Sequence, residues 1–225
     1  MQLHTGAHTV VSLFGMQVNM DTIYMTWLAG AIVIFLMFLA TRQKALVPSG
    51  WQNAVEIVME GLCNQFRDNL GPRYRQAAYV LLTLFFFIFV SNQMGLLPTN
   101  HLIVSPTNDL NTTLGLAIFC SIMIHVLYIR NQGIGCWGKH FFKPFAPFVL
   151  INLIEEIARP VTLAMRLFGN ILAGEILLEV LYDLAPYLVP IIWIAFSLFI
   201  GLIQAYIFTT LASAYLMESV AEEEH

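Results

Sequence analysis

Residues 22–40, TIYMTWLAGAIVIFLMFLA, form an uncharged apolar run of the length a helix needs to cross about 30 Å of hydrocarbon. The run stops at Arg42 and Lys44, where VPSG breaks any helix. Over residues 51–70 the pattern changes: Trp51, Val55, Val58, Leu62 and Phe66 share one helical face, with Glu56, Glu60, Asn64 and Arg67 around the rest. Two readings fit that stretch, an amphipathic helix lying in the membrane interface and a cytoplasmic helix packed on a partner. A second span covers residues 77–97, centred on FFFIFV and closed by SNQ and LLPTN, and a third over 110–129 ends at Arg130. The remainder divides around DLAP into two helices, residues 147–182 and 186–217. At 1.5 Å per residue these measure about 54 and 48 Å, too long to stand upright in the bilayer. Pro160 permits a kink, but polar groups continue through the apolar part and favour tilt. The pattern predicts an all-α integral membrane protein, one membrane domain over residues 1–225. About five helices cross, the last two as a long, steeply tilted hairpin, beside one interfacial amphipathic helix.

Composition agrees. With 58% hydrophobic and 11% charged residues among 225, there is too little polar surface to cover a soluble core. The net charge of −4 carries little information here, because in a membrane chain the placement of Lys and Arg sets the topology. Of the ten, Arg42, Lys44, Arg67, Arg73, Arg75, Arg130, Lys139 and Lys143 lie in the two segments that follow spans one and three, and the opposite loops have none. Those segments are predicted to be cytoplasmic, which puts the N-terminus outside and the AEEEH end in the cytoplasm. MQLHTGAHTVVSLFG lacks the basic region of a cleavable signal, so the first run is expected to remain as an anchor. Cys63, Cys120 and Cys136 have neither a CxxC spacing nor an even count and read as packing residues. His4 and His8 have helical ligand spacing but, so near an end, read as solvated; no metal site and no cofactor are expected. His125, about a turn from Arg130, reads as interfacial, and the Asn-Thr-Thr triplet at Asn111 as a chance sequon.

Two cations remain, Arg159 and Arg166, and both fall inside RPVTLAMRLFGNILAGEILLEVLYD, residues 159–183. A central arginine costs from roughly 3 to above 10 kcal/mol in a bilayer. At 100° per residue, Glu155, Arg159, Arg166 and Asn170 lie within about 60° of one another on one helix face. Glu175 points about 180° away, and Glu179 and Asp183 continue it as a carboxylate stripe. Arg166 has no carboxylate three or four residues away, so its partner is expected from elsewhere, whereas Arg159 has Glu155 in the favourable order and the two can simply pair. On the last helix Ser197 and Gln204 share a face near Trp193 and Phe208. Gln204 fits either a helix-to-helix hydrogen bond or a place opposite Arg166, helping to solvate the guanidinium. Three carboxylates on one membrane-adjacent face point to a wetted path for protons or other cations.

RPVTLAMRLFGNILAGEILL, GLIQAYIFTTLASAYLMESVAEEEH and the loop GLLPTNHLIVSPTNDLNTTLGLA resemble subunit a of the bacterial F-type ATP synthase from about residue 75 onward. The resemblance implies a stator in the bacterial plasma membrane facing a ring of c subunits, with b-type peripheral stalk subunits, the F1 sector and membrane lipid as partners and no nucleic acid. It implies that Arg166 holds ring carboxylates ionised between two offset half-channels, with Asn170 and Gln204 beside it. Glu175 would carry protons in the outer half-channel, Asp109 would line its mouth, and Glu155 or Glu156 would lie near the cytoplasmic one. Some relatives pair the inlet glutamate with a histidine on the last helix. Ser197 stands there in this chain, leaving Glu179 or ordered water to complete the path. Opposite-charge attraction lowers the pKa of a passing carboxylate, and arginine keeps its own proton when buried. The same charges also fit a self-contained secondary transporter or channel, or a purely structural anchor. No GxxxxGK[ST] loop is present, so a nucleotide site is expected on another subunit.

Overall fold

A computed structural model describes residues 10–13, 16–42, 50–96, 105–142, 148–185 and 188–220. Lys44, Lys143, His4, His8, the break at Pro186 and the acidic tail lie outside them. The chain is an all-α membrane protein with one small addition. Strands β1 (Val10–Leu13) and β2 (Met16–Asn19) pair antiparallel, Val10 opposite Asn19 and Leu13 opposite Met16. Strands of four residues leave too few positions for a two-residue period to register, so the hairpin was not evident in the sequence pattern.

Seven α-helices follow among the described residues: α1 (Met20–Arg42), α2 (Gly50–Leu70), α3 (Arg75–Gly95), α4 (Leu110–Gln132), α5 (Ile134–His140), α6 (Val149–Leu184) and α7 (Leu188–Val220). Five of them, α1, α3, α4, α6 and α7, are long and apolar enough to cross a membrane. The 36 residues of α6 run unbroken through Pro160, about 54 Å of helix. Gly133, at φ +86, ends α4 in a conformation that a side chain would strain.

Helix α3 is the central element. Its Leu81, Phe85 and Ile88 meet Cys120 and Ile124 of α4, Leu163 and Leu167 of α6, and Phe208 and Leu216 of α7 in one buried cluster. Ala164, Ala205 and Ala212 are fully buried there, small enough to let helix backbones approach closely. The apolar stripe of α2 joins the same cluster through Leu62, Phe66 and Leu70. Asn69 donates to the Ser213 hydroxyl of α7 at 2.7 Å, so much of the stripe is covered by the chain's own helix. Trp51, Ile57 and Val58 of α2 stay exposed. So do Trp27, Ile34 and Phe35 of α1 and Ile191, Ile192 and Phe199 of α7, which is the apolar exterior expected of a bundle that meets lipid or other helices.

Between α2 and α3, the Arg67 guanidinium lies over the Tyr74 ring, 5.2 Å from its centroid. Hydrogen bonds from Arg67 and Arg75 hold the Tyr74 hydroxyl below the ordinary tyrosine range. This keeps the cations clustered at one end of the bundle.

Candidate functional site

The polar SNQ at the end of α3 is interior. Asn92 is fully buried and donates to the Gly201 carbonyl of α7 at 3.2 Å, while Gln93 donates to the Leu198 carbonyl at 3.2 Å. Below them, the turn Pro106–Asn108 is folded into the bundle. The Ser105 hydroxyl donates to the Ser91 carbonyl at 2.8 Å and accepts from the Thr107 amide at 3.3 Å. The Thr107 hydroxyl donates to the Asn92 side-chain oxygen at 3.0 Å. A buried turn is tolerable only when its polar groups are matched in this way.

That turn places Asn108 against α6. Its amide donates to Glu175 Oε2 at 2.6 Å, and Asn108 is only 4% exposed. The close approach requires Gly95. A Cβ there would come within 2.6 Å of the Ser105 Cβ and 3.4 Å of Glu175 Oε1. Gly95→Ala is therefore expected to cost about 1–3 kcal/mol by forcing the turn outward. A lowered midpoint in thermal denaturation of the detergent-solubilised protein checks this, and an unchanged midpoint contradicts it.

Glu175 opens onto a cavity of about 140 Å³ between α3, α6 and α7, which Asn92, Asn170, Trp193 and Ser197 also line. Its walls are mainly apolar, but Glu175, Asn92, Asn170 and Ser197 supply polar groups, and a cavity of this size has room for several waters held by them. The Ser197 hydroxyl is buried without a hydrogen-bond partner, which suits a solvent-lined wall. Trp193 donates to the Gly174 carbonyl at 3.2 Å, tying α7 to α6 beside Glu175.

Asp109 is not among the residues lining this cavity. It caps α4, accepting from the Asn111 backbone amide at 2.9 Å and the Asn111 side chain at 3.0 Å. Asn19 at the end of β2 and Thr22 in the first turn of α1 also donate to it, at 2.7 and 3.1 Å. The carboxylate is 6% exposed and ringed by donors, the arrangement that stabilises its ionised form.

Arg166 is exposed on α6, about 100–160° around the helix from buried Leu167, Ile171 and Ala164. It makes no hydrogen bond or ion pair with the described residues, in keeping with a partner outside the chain. Asn170, one turn further along, reaches the cavity, so guanidinium and cavity occupy neighbouring turns of one helix. Gln204 is 6% exposed and its amide nitrogen is buried without a hydrogen-bond partner. No hydrogen bond joins it to Arg166. Glu179 is half-buried and Asp183 exposed, further along α6.

At the other end of α6, Arg159 pairs with Glu155 at 2.9 Å and lies over the Tyr215 ring, 5.1 Å from its centroid. Here the local pairing of Glu155 and Arg159 is realised. Glu156 turns instead towards α4, 3.2 Å from His125 Nε2, and Trp137 donates to His125 Nδ1 at 3.3 Å. His125 is thus held between α4, α5 and α6. The sequence assigns no role to Asn108, Asn92 and Trp193, and it marks His125 only as interfacial. Each is uncharged or ambiguous in charge, and only the long-range packing gives it a partner. Among the described residues, no group of three or more His, Cys, Asp or Glu side chains could hold a metal ion.

Residues 23–217 match the family model described as ATP synthase A chain. A protein of Desulforamulus reducens named ATP synthase subunit a is 40% identical over 221 residues, covering 94% of this chain and 83% of that protein. Another of the same name from Streptococcus agalactiae serotype III is 34% identical over 236 residues, covering 99% of each chain.

Proposed function

The chain belongs to the ATP synthase A chain family, and from that premise we propose that it is the stator of the membrane sector, passing protons through two offset half-channels to and from the carboxylates of a c ring. The observation that carries this reading is the cavity onto which Glu175 opens, with Asn92, Asn170 and Ser197 in its wall; Glu175 lies on the same helix as Arg166, which is exposed and unpaired among the described residues.

The cavity serves as the half-channel open to the outside. A proton entering it is taken by Glu175 and passed, along waters held by Asn92, Asn170 and Ser197, to a ring carboxylate arriving at the α6 face. Glu179 and Asp183 extend the carboxylate stripe towards the outer end. Arg166 then draws the ring carboxylate on its other side into the ionised state, because a nearby cation stabilises the anion. The proton it gives up leaves on the cytoplasmic side, near Glu155 and Glu156. A fixed guanidinium also separates the two paths, since a hydrated proton is repelled by it. Gln204, buried with a free amide nitrogen, is placed to steady this region from α7. The long hairpin of α6 and α7 lies tilted against the ring, with the N-terminus outside and the C-terminus in the cytoplasm. Stalk subunits of the b type and the F1 sector complete the complex, and F1 holds the nucleotide site.

Glu175→Gln tests the inlet. A glutamine keeps the size and hydrogen bonding of the side chain but cannot carry a proton. Proton-driven synthesis in vesicles is expected to fall about tenfold, a loss of roughly 1.4 kcal/mol in the limiting step, with the complex assembled. An unchanged rate would remove Glu175 from the path. The purified chain alone in liposomes is expected to show no coupled proton transport; a substantial rate would instead identify a self-contained transporter.

A further inference from the structure

The inlet lacks a second titratable relay on α7, since Ser197 stands where the family resemblance suggests a histidine in some members. We propose that Asn108 is a positioning residue for proton transfer at Glu175, supplied from the loop before α4 in place of a partner on α7. The inference rests on the reading of Glu175 as the inlet carboxylate.

Three observations carry it. The amide nitrogen is 2.6 Å from Glu175 Oε2, a short contact of the kind a charged acceptor makes. The amide oxygen of Asn108 is buried and has no hydrogen-bond partner. The backbone that presents the side chain is fixed by the hydrogen bonds of Ser105 and Thr107 and by the gap at Gly95. A buried amide oxygen left idle costs free energy unless another state of the site uses it.

Protonation of Glu175 supplies that state. An ionised carboxylate only accepts hydrogen bonds, whereas a protonated one also donates. Half a turn of the Asn108 amide about its last side-chain bond replaces N–H with C=O at Glu175. The pair thus stays hydrogen-bonded before and after the proton arrives. No proton passes through the amide, and no bond in it is made or broken. Asn108 keeps the Glu175 side chain aimed along the cavity in both charge states, so neither state is trapped by desolvation.

The test uses the complete complex in liposomes, with synthesis driven by an imposed proton gradient and expressed per assembled complex. Asn108→Leu keeps the volume and removes the hydrogen bond; a fall of about tenfold is expected from losing one bond to a charged group. The exchanged pair, Asn108→Asp with Glu175→Gln, returns a carboxylate and an amide to contact in reversed order. It is expected to run several-fold faster than Glu175→Gln alone, a gain that a merely structural role for Asn108 would not give. Asn108→Ala replaces the leucine variant if that one does not assemble. A parental rate in Asn108→Leu, or an exchanged pair no faster than Glu175→Gln, overturns the proposal while leaving Glu175 in its role. A parental rate in Glu175→Gln overturns the reading of Glu175 itself, and the proposal with it.

Discussion

Replacing Arg166 with alanine is expected to abolish proton-driven ATP synthesis in vesicles while leaving the bundle intact. The two halves of this expectation have separate physical grounds. Arg166 is exposed in the isolated chain, and the buried Ala164, Leu167 and Ile171 that help hold α6 in place lie well around the helix from it. Removing the guanidinium therefore breaks no hydrogen bond or ion pair among the described residues. On the proposed reading its effect falls on the ring. A carboxylate at bilayer depth without a cation nearby stays protonated, because desolvation disfavours the charged form. A ring whose carboxylates never ionise has no proton to release and no reason to turn in one direction. Arg166→Lys is a sharper variant, since a buried ammonium can lose its proton and with it the attraction. Synthesis above about a tenth of the parental rate in Arg166→Ala, a cost of less than roughly 1.4 kcal/mol, contradicts the assignment.

Arg166 also shows what the sequence makes legible. A formal charge within an apolar run stands out against its neighbours, and the spacing of carboxylates around a helix follows from 100° per residue. The five apolar helices were equally plain, because hydrocarbon thickness sets their length. The pairing of Arg159 with Glu155 needed only the four-residue rule. Asn108 could not be found that way. It stands 67 residues from Glu175, carries no charge, and gains its meaning from a turn that enters the bundle. The SNQ stretch marks the end of α3 as its polarity suggests, but pattern alone does not show that Asn92 there is fully buried. His125 looked interfacial, and its contacts with Glu156 and Trp137 depend on α5 and α6 packing across it. Local pattern reports helix length and face; it does not report which helix lies opposite.

The same limit applies to Asp109, where family resemblance implies a place at the channel mouth and the geometry adds a mechanical task. Four donors converge on its two oxygens, two from Asn111 and one each from Asn19 and Thr22. The carboxylate therefore joins the start of α1 to the start of α4, and the turn carrying Asn108 lies directly before it. Asp109→Leu removes the acceptor from Thr22, which is buried, and Asn19, which is half-buried, while the exposed Asn111 can turn to water. Each hydrogen bond to a charged group contributes about 1.5–3 kcal/mol, and an unmatched buried donor costs about 1–3 kcal/mol. The bonds from Thr22 and Asn19 alone amount to an appreciable share of the stability of a typical domain. Most of the assembled subunit is expected to be lost, measured as the amount of chain in purified complex. Asp109→Asn is isosteric and keeps an acceptor oxygen for part of the cluster, so assembly is expected to recover substantially. If Asp109 acted only as a proton carrier the order would differ: both variants would assemble fully and both would slow transport. Full assembly of Asp109→Leu therefore rules out the clamp, and loss of assembly with recovery in Asp109→Asn places Asp109 among the residues that hold the turn carrying Asn108 in position.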